Sequence, residues 1–177
     1  MCGRIALYRN TNDIAERFES EHIELELTAH YNLFPSEMVP AIIQNQKRRL
    51  APCKWGLVPF WAMKFGKTWK PRTHARMETM TANMFTQSVE TRRCLIPLNG
   101  YFEFNKARVK GSIPHYFYRL DQELFSVAAI WESVRTPEGI LQSMAIVTCP
   151  SNKLNAHVHP RMPVIFEDRE QEELWLD

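Results

Sequence analysis

A cysteine at position two, a glutamate set between two phenylalanines and a histidine ahead of Pro-Arg-Met-Pro offer the most chemistry in this sequence. Removal of Met1 would leave Cys2 with a free α-amine (pKa about 8) beside a thiol of pKa about 8.5. That 1,2-aminothiol condenses with an aldehyde: the amine forms an imine and the thiol then closes a five-membered thiazolidine. A different chemistry starts from the same Met-Cys-Gly, with the thiolate attacking an amide and the amine acting as base. Cys2 alone does not choose between them.

Glu103 lies in NGYFEFNK and shares a strand face with Tyr101, opposite Phe102 and Phe104. A carboxylate in aromatic surroundings is suited to general acid/base work, although an edge-strand charge paired with a lysine fits the same pattern. His159, in HVHPRMPVIF, precedes a strand and can carry protons near neutral pH. His157-x-His159 lacks a third ligand, so no metal site is expected. His74, in RTHARMET, has no assignable role on its own. The four cysteines, at 2, 53, 94 and 149, form no CxxC pair, which argues against a disulfide framework or zinc. Cys53, Cys94 and Cys149 read as reduced core residues, with Cys2 the exception.

Between Lys54 and Arg76 six cations (with Lys64, Lys67, Lys70 and Arg72) occur without a single acid, interleaved with Trp55, Phe60, Trp61, Phe65 and Trp69. Cations that follow phosphates, with aromatic faces that accept unstacked bases, suit single-stranded DNA. Trp55 alternates into a strand and reads as core; Trp61, just after Pro59, reads as the exposed stacking residue. The net charge of +2 places any such affinity in a local patch rather than in the whole molecule.

These residues need a frame. Thr11–Ser20 predicts a helix with Ile14, Ala15 and Phe18 on one face. Strands are predicted at 39–44 and 50–58, around a turn at 45–49, then at 94–98, 100–104, 116–120, 124–131, 141–148 and 163–166. A short helix is expected over 79–89 and another in the acidic end EDREQEELWLD. Many short strands with few helices indicate an α+β domain on mixed, largely antiparallel sheet. No run of about 18 apolar residues is present, and the N-terminus does not read as a signal peptide, so a cytoplasmic protein without a membrane span is expected.

Together the segments MCGRIAL (1–7), YNLFPSE (31–37), KWGLVPFWA (54–62), HARMET (74–79), RRCLIPLNGYFEF (92–104), FSVAAIWE (125–132) and VHPRMPVI (158–165) resemble the SRAP family, whose members crosslink to abasic sites. The glutamine-amidotransferase reading shares only the first three residues. The resemblance implies one SRAP domain over 1–177, monomeric, with single-stranded DNA carrying abasic sites as its partner and no cofactor. It implies Cys2 as the crosslinking residue after self-removal of Met1, Glu103 as acid/base, and His159 in proton transfer and reversal. Arg4, Arg76 and Arg161 match phosphate-holding arginines, Asn32 and Pro35 the motif shaping the pocket, and Trp61 a residue stacking at the DNA junction. An SOS-linked, nucleoid-associated role would follow in a bacterial host.

Two positions depart from the family pattern. His74 stands where the motif usually reads Asn, and Pro160 where an Asp commonly follows the histidine. Family members also generally continue past the position of Asp177. A binding module that has kept the fold and lost crosslinking is the alternative these departures suggest.

Overall fold

The computed structural model describes residues 2–64, 69–82, 84–105 and 111–177, without the side chains of Met63, Lys64 and Ala82. Twelve strands and five α-helices occur among them. The strands are β1 (Arg4–Leu7), β2 (His22–Ile23), β3 (His30–Leu33), β4 (Met38–Gln44), β5 (Arg48–Trp55) and β6 (His74–Arg76), then β7 (Arg93–Leu98), β8 (Gly100–Phe104), β9 (Pro114–Tyr118), β10 (Phe125–Thr136), β11 (Gly139–Pro150) and β12 (Arg161–Pro163). The helices are α1 (Thr11–Arg17), α2 (Phe60–Lys64), α3 (Thr86–Thr91), α4 (Lys153–Ala156) and α5 (Arg169–Leu176).

The larger sheet runs β12-β11-β10-β7-β4-β5-β2, with β6 also on β11. Its middle closes on itself, because β5 pairs β11 in parallel through Lys54↔Ser143 and Trp55↔Met144. Strands β4, β5, β11, β10 and β7 therefore form a ring, which leaves few open edges. β4 and β7 are buried along almost their whole length, on both faces. A ring fills one side of each strand, and β1 and α5 lie against β7 from outside. Apolar runs such as VPAII and CLIPL are what two-sided burial requires.

The smaller sheet, β3-β1-β8-β9, is antiparallel throughout. Its β8 alternates: Tyr101 and Glu103 are buried, while Phe102 and Phe104 are half-buried on the opposite face. That face assignment and the strand limits agree with the sequence reading. The α+β class with short helices is likewise the observed one.

Several elements differ from expectation. The segment 79–89 is not one helix: a 3-10 turn at Met80–Ala82 is followed by α3, with Phe85 buried between them. Helix α1 ends at Arg17, and Glu19 beyond it takes a positive φ of 52°. The strand expected at 163–166 lies at Arg161–Pro163, with Ile165 contributing a single bridge to Val127. Among the described residues no helix is long and apolar enough to cross a membrane.

Helix α5 is pinned by charge. Arg17 holds Glu172 at 3.0 and 3.1 Å, and Ser126 donates to the same carboxylate at 2.7 Å. Arg48 pairs with Glu173, and Trp175 Nε1 donates to the Cys94 carbonyl at 3.0 Å. Another buried acid, Glu132, is closed by Ser88 Oγ at 2.6 Å and Arg92 at 3.2 Å.

Candidate functional site

Four side chains from separate stretches of the chain converge where the small sheet meets the ring. β1 hydrogen-bonds to β8 in the register Arg4↔Phe102, so the chain just before Arg4 runs toward Glu103. β6 pairs β11 through His74↔Ile146, which brings His74 to the same corner. His159 follows α4 and precedes β12, the strand that hangs on the end of β11. Glu103 acts electrostatically on Cys2, His74 and Tyr101, and His159 acts on His74. Cys2, Glu103 and His159 are 1%, 4% and 5% exposed, so these interactions act away from bulk water.

The hydrogen bonds fix protons. His74 Nε2 lies 2.6 Å from the Cys2 carbonyl oxygen, which can only accept, so Nε2 carries the proton. In the neutral ring Nδ1 is then an acceptor, and the Thr73 hydroxyl donates to it across 2.9 Å. Burial pushes the His74 pKa down, opposed by its bond to Cys2, which favours this neutral form. His159 Nδ1 is held by the Arg161 backbone, 3.0 Å from its N–H and 3.1 Å from its carbonyl oxygen. Ser151 fixes the His159 carbonyl at 2.6 Å.

The Cys2 thiol is held well above its ordinary pKa, first by burial and then by the Glu103 charge. It is a thiol at neutral pH, not a thiolate, and it belongs to the apolar core cluster. This corrects the expectation that Cys2 alone of the four cysteines stands apart from the core: it is as buried as Cys53 and Cys94, whereas Cys149 is half-exposed. Nothing in sequence periodicity reports burial for a residue ahead of its strand.

Three further residues belong to this corner. Tyr101 donates to Asn155 Oδ1 at 2.5 Å, both buried, and burial raises the tyrosine pKa so that it stays a donor. Thr73 holds the His74 tautomer. Tyr101 was visible as the face-mate of Glu103; Asn155 and Thr73 carried no signal beyond adjacency.

The remaining expected site residues lie around the rim. Arg4 donates to Asn32 Oδ1 at 2.7 Å, and its guanidinium sits 5.5 Å from the centre of the Phe34 ring. Pro35 follows in the same turn and is half-buried. Arg76 is exposed. Arg161 is committed elsewhere: Glu78 holds both terminal nitrogens at 2.9 and 3.0 Å, and Thr148 O accepts a third bond at 2.6 Å. Trp61, half-buried in α2, meets Trp69 edge-on at 5.0 Å, and Trp69 in turn carries Arg72 at 5.6 Å. Trp55 is fully buried, while Lys54, Lys70 and Arg72 are exposed. Met1, Phe65, Lys67 and the Lys64 side chain lie outside the described residues. No group of His, Cys, Asp and Glu able to hold a metal occurs among the described residues.

The fold and this corner define an α+β protein with Cys2 buried between a closed ring and a small antiparallel sheet. The family model for SOS response associated peptidases (SRAP) matches residues 1–177, and the chain belongs to that family. The abasic site processing protein YoqW of Bacillus subtilis is 35% identical over 182 residues, an alignment covering 100% of this chain and 80% of YoqW. The abasic site processing protein YedK of Escherichia coli is 27% identical, with 99% and 79% covered. A crystal structure from Bacteroides thetaiotaomicron superimposes with a TM-score of 0.85 at 25% identity, covering 99% of this chain and 81% of that one.

Proposed function

We propose that this protein processes abasic sites in single-stranded DNA by forming a thiazolidine with the lesion through Cys2, after Met1 has been removed by the protein itself. The observation that carries the reading is the convergence of Cys2, His74, Glu103 and His159 in one water-poor corner. The related proteins named for abasic-site processing support the substrate class.

The chemistry follows from the protonation states. Glu103 moves a proton between the sugar hydroxyl and the ring oxygen, and opening exposes the C1′ aldehyde. The raised thiol pKa makes the α-amine the first nucleophile. Amine nitrogen bonds to C1′ and water leaves, giving the imine. Sulfur then bonds to the same carbon while the thiol proton passes to nitrogen, and the ring closes without net gain or loss of atoms. His74 anchors the Cys2 carbonyl while amine and thiol rotate toward the aldehyde; His159 serves the proton transfers of closure and reversal. Arg4 and Arg76 take phosphates beside the lesion, with Asn32 and Pro35 shaping the entrance and Trp61 stacking at its edge. Arg161 reaches phosphate only by exchanging Glu78 for it. The protein acts as a monomer in the compartment that holds the DNA.

Intact mass before and after incubation with an oligonucleotide carrying one abasic site tests this. Loss of Met1, followed by an adduct of protein plus DNA minus water, is the expected result. Cys2→Ala should bind the same DNA and form no denaturant-resistant product. An unprocessed Met1, or adduct formation by Cys2→Ala, defeats the proposal.

A further inference from the structure

The inner face of the small sheet holds the reactive corner; its outer face carries aromatic rings that the chemistry above does not use. Tyr31 and Tyr8 stack at 5.4 Å and 18°, and are 63% and 36% exposed. A register shift between Ile5 and Leu7 accompanies this, the kind of irregularity that re-aims a side chain. On the other side of β1, Tyr116 and Tyr118 stack at 5.5 Å, and Phe102 packs on Tyr116 at 4.7 Å. The floor beneath is small. Ala6 pairs Gly100, and a Cβ on Gly100 would come within 2.4 Å of the Tyr116 ring, so glycine is required for that ring to lie flat.

We infer that this tyrosine face is a stacking track for the bases of single-stranded DNA flanking the lesion, continuous with the Arg4 contact at its lower end. Aromatic rings on an open sheet accept unstacked bases whatever their sequence. Charge agrees: Arg4 leads onto the face, and Glu37 beside Phe34 is occupied by the Phe34 backbone N–H at 2.7 Å. Length agrees as well. The four residues of β1 span roughly 13 Å at about 3.3 Å each, a distance covered by about four stacked nucleotides at ~3.4 Å each. Cys2 would take the lesion at one end while Tyr8 and Tyr31 hold bases several nucleotides away. The track rests on the proposed Cys2 chemistry for its purpose, but not for its existence.

The test uses undamaged and damaged DNA in parallel. Affinity for a fluorescein-labelled 20-nucleotide oligo-dT is measured by anisotropy for wild type, Tyr31→Ala, Tyr118→Ala and Tyr31→Phe. Each alanine variant should bind about 5-fold more weakly or worse, since stacking is worth ~1–3 kcal/mol per base. Tyr31→Phe should bind as wild type. Thermal stability should hardly move, because both rings are more than half exposed. Irradiating an oligonucleotide with 5-iodouracil placed about four nucleotides from its abasic site should attach it to a peptide containing Tyr8, Tyr31 or Tyr118. Unchanged affinities, or photoproducts confined to other peptides, overturn the track, even where the Cys2 adduct still forms. Alanine variants that alter the oligomeric state and leave DNA affinity intact make the face a protein interface and also overturn it. If oligo-dT binds as described and no Cys2 adduct ever forms, the track stands and the crosslinking reading falls.

Discussion

The closed ring and the small sheet treat buried charge in opposite ways. Within and against the ring each buried acid is closed by a guanidinium and a hydroxyl: Glu132 by Arg92 and Ser88, Glu172 by Arg17 and Ser126. Such groups hold elements in register and are chemically quiet. At the corner of the small sheet, Glu103 instead lies beside a thiol, a phenol and a neutral imidazole, all groups able to give or take a proton. Equally buried carboxylates thus stand among chemically different neighbours. The ring supplies rigidity, and the small sheet places reactive groups against it.

The strongest way to break this contrast is to neutralise one acid of each kind. Glu103→Gln removes the proton carrier with little change in shape. Adduct formation should slow by about 10²-fold or more, the usual scale of general acid/base assistance, while DNA affinity stays within a factor of two or so. An unaltered rate in single-turnover gel assays would remove Glu103 from the chemistry. Glu172→Ala should do the reverse. It leaves Ser126 and a partly exposed Arg17 without their carboxylate, at a cost of about 2–3 kcal/mol after allowing for that exposure. For a chain of this size that is a fall of roughly 5–10 °C in Tm, and the folded fraction should crosslink at the wild-type rate. A Tm within a degree of wild type would mean that α5 is held by its other contacts.

Sequence pattern exposed the two regions unequally. The ring strands declare themselves: the strands predicted at 39–44, 94–98 and 141–148 lie inside the observed β4, β7 and β11, and that at 124–131 starts one residue before β10. The closure does not, since the β5–β11 pairing joins residues near 54 and 143, and no local pattern encodes a contact so distant in sequence. On the other side β1, β3 and β6 were missed as strands. Each has three or four residues, too few for a period, and each owes its conformation to its partner. Helix α2 hid behind Pro59 in a segment read for charge and aromaticity. Part of the corner was legible as candidate chemistry, because a cysteine at position two, a glutamate in an aromatic frame and a histidine ahead of Pro-Arg-Met-Pro stand out by type, whereas His74 had no assignable role on its own. Burial of Cys2, the Thr73 contact and the Tyr101–Asn155 bond belong to tertiary packing.

A pH titration sharpens the comparison further. Burial lowers the His74 pKa below its ordinary value, so folding favours the neutral ring and protonation opposes it. The unfolded chain therefore binds more protons as pH drops past ~6.5. The stability tied to His74 is complete above that value and is lost as pH falls toward the lower folded pKa. Urea unfolding at pH 7.5, 6.5 and 5.5 should show a decline that His74→Asn reduces, because Asn can still donate to the Cys2 carbonyl and does not titrate. Identical profiles for the two proteins would mean that His74 is solvated in both states.

The smallest expected effect isolates one hydroxyl. Thr73 reaches no reacting atom; its donation to Nδ1 is what keeps the His74 proton on Nε2, where the Cys2 carbonyl needs it. Thr73→Val preserves shape and removes the donor, so the ring can carry its proton on Nδ1, and Nε2 then faces the carbonyl with a lone pair. A net hydrogen bond of ~0.5–1.5 kcal/mol corresponds to adduct formation about 2- to 10-fold slower, with Thr73→Ser restoring it. A mere packing role would give the opposite order, valine tolerated and serine impaired. In Glu172→Ala the same pair of Thr73 variants should give the same ratio of rates, because the ionic clamp on α5 shares no partner with this corner. A ratio that shifts in that background would show that the ring and the small sheet are coupled, and that the separation of rigidity from chemistry is incomplete.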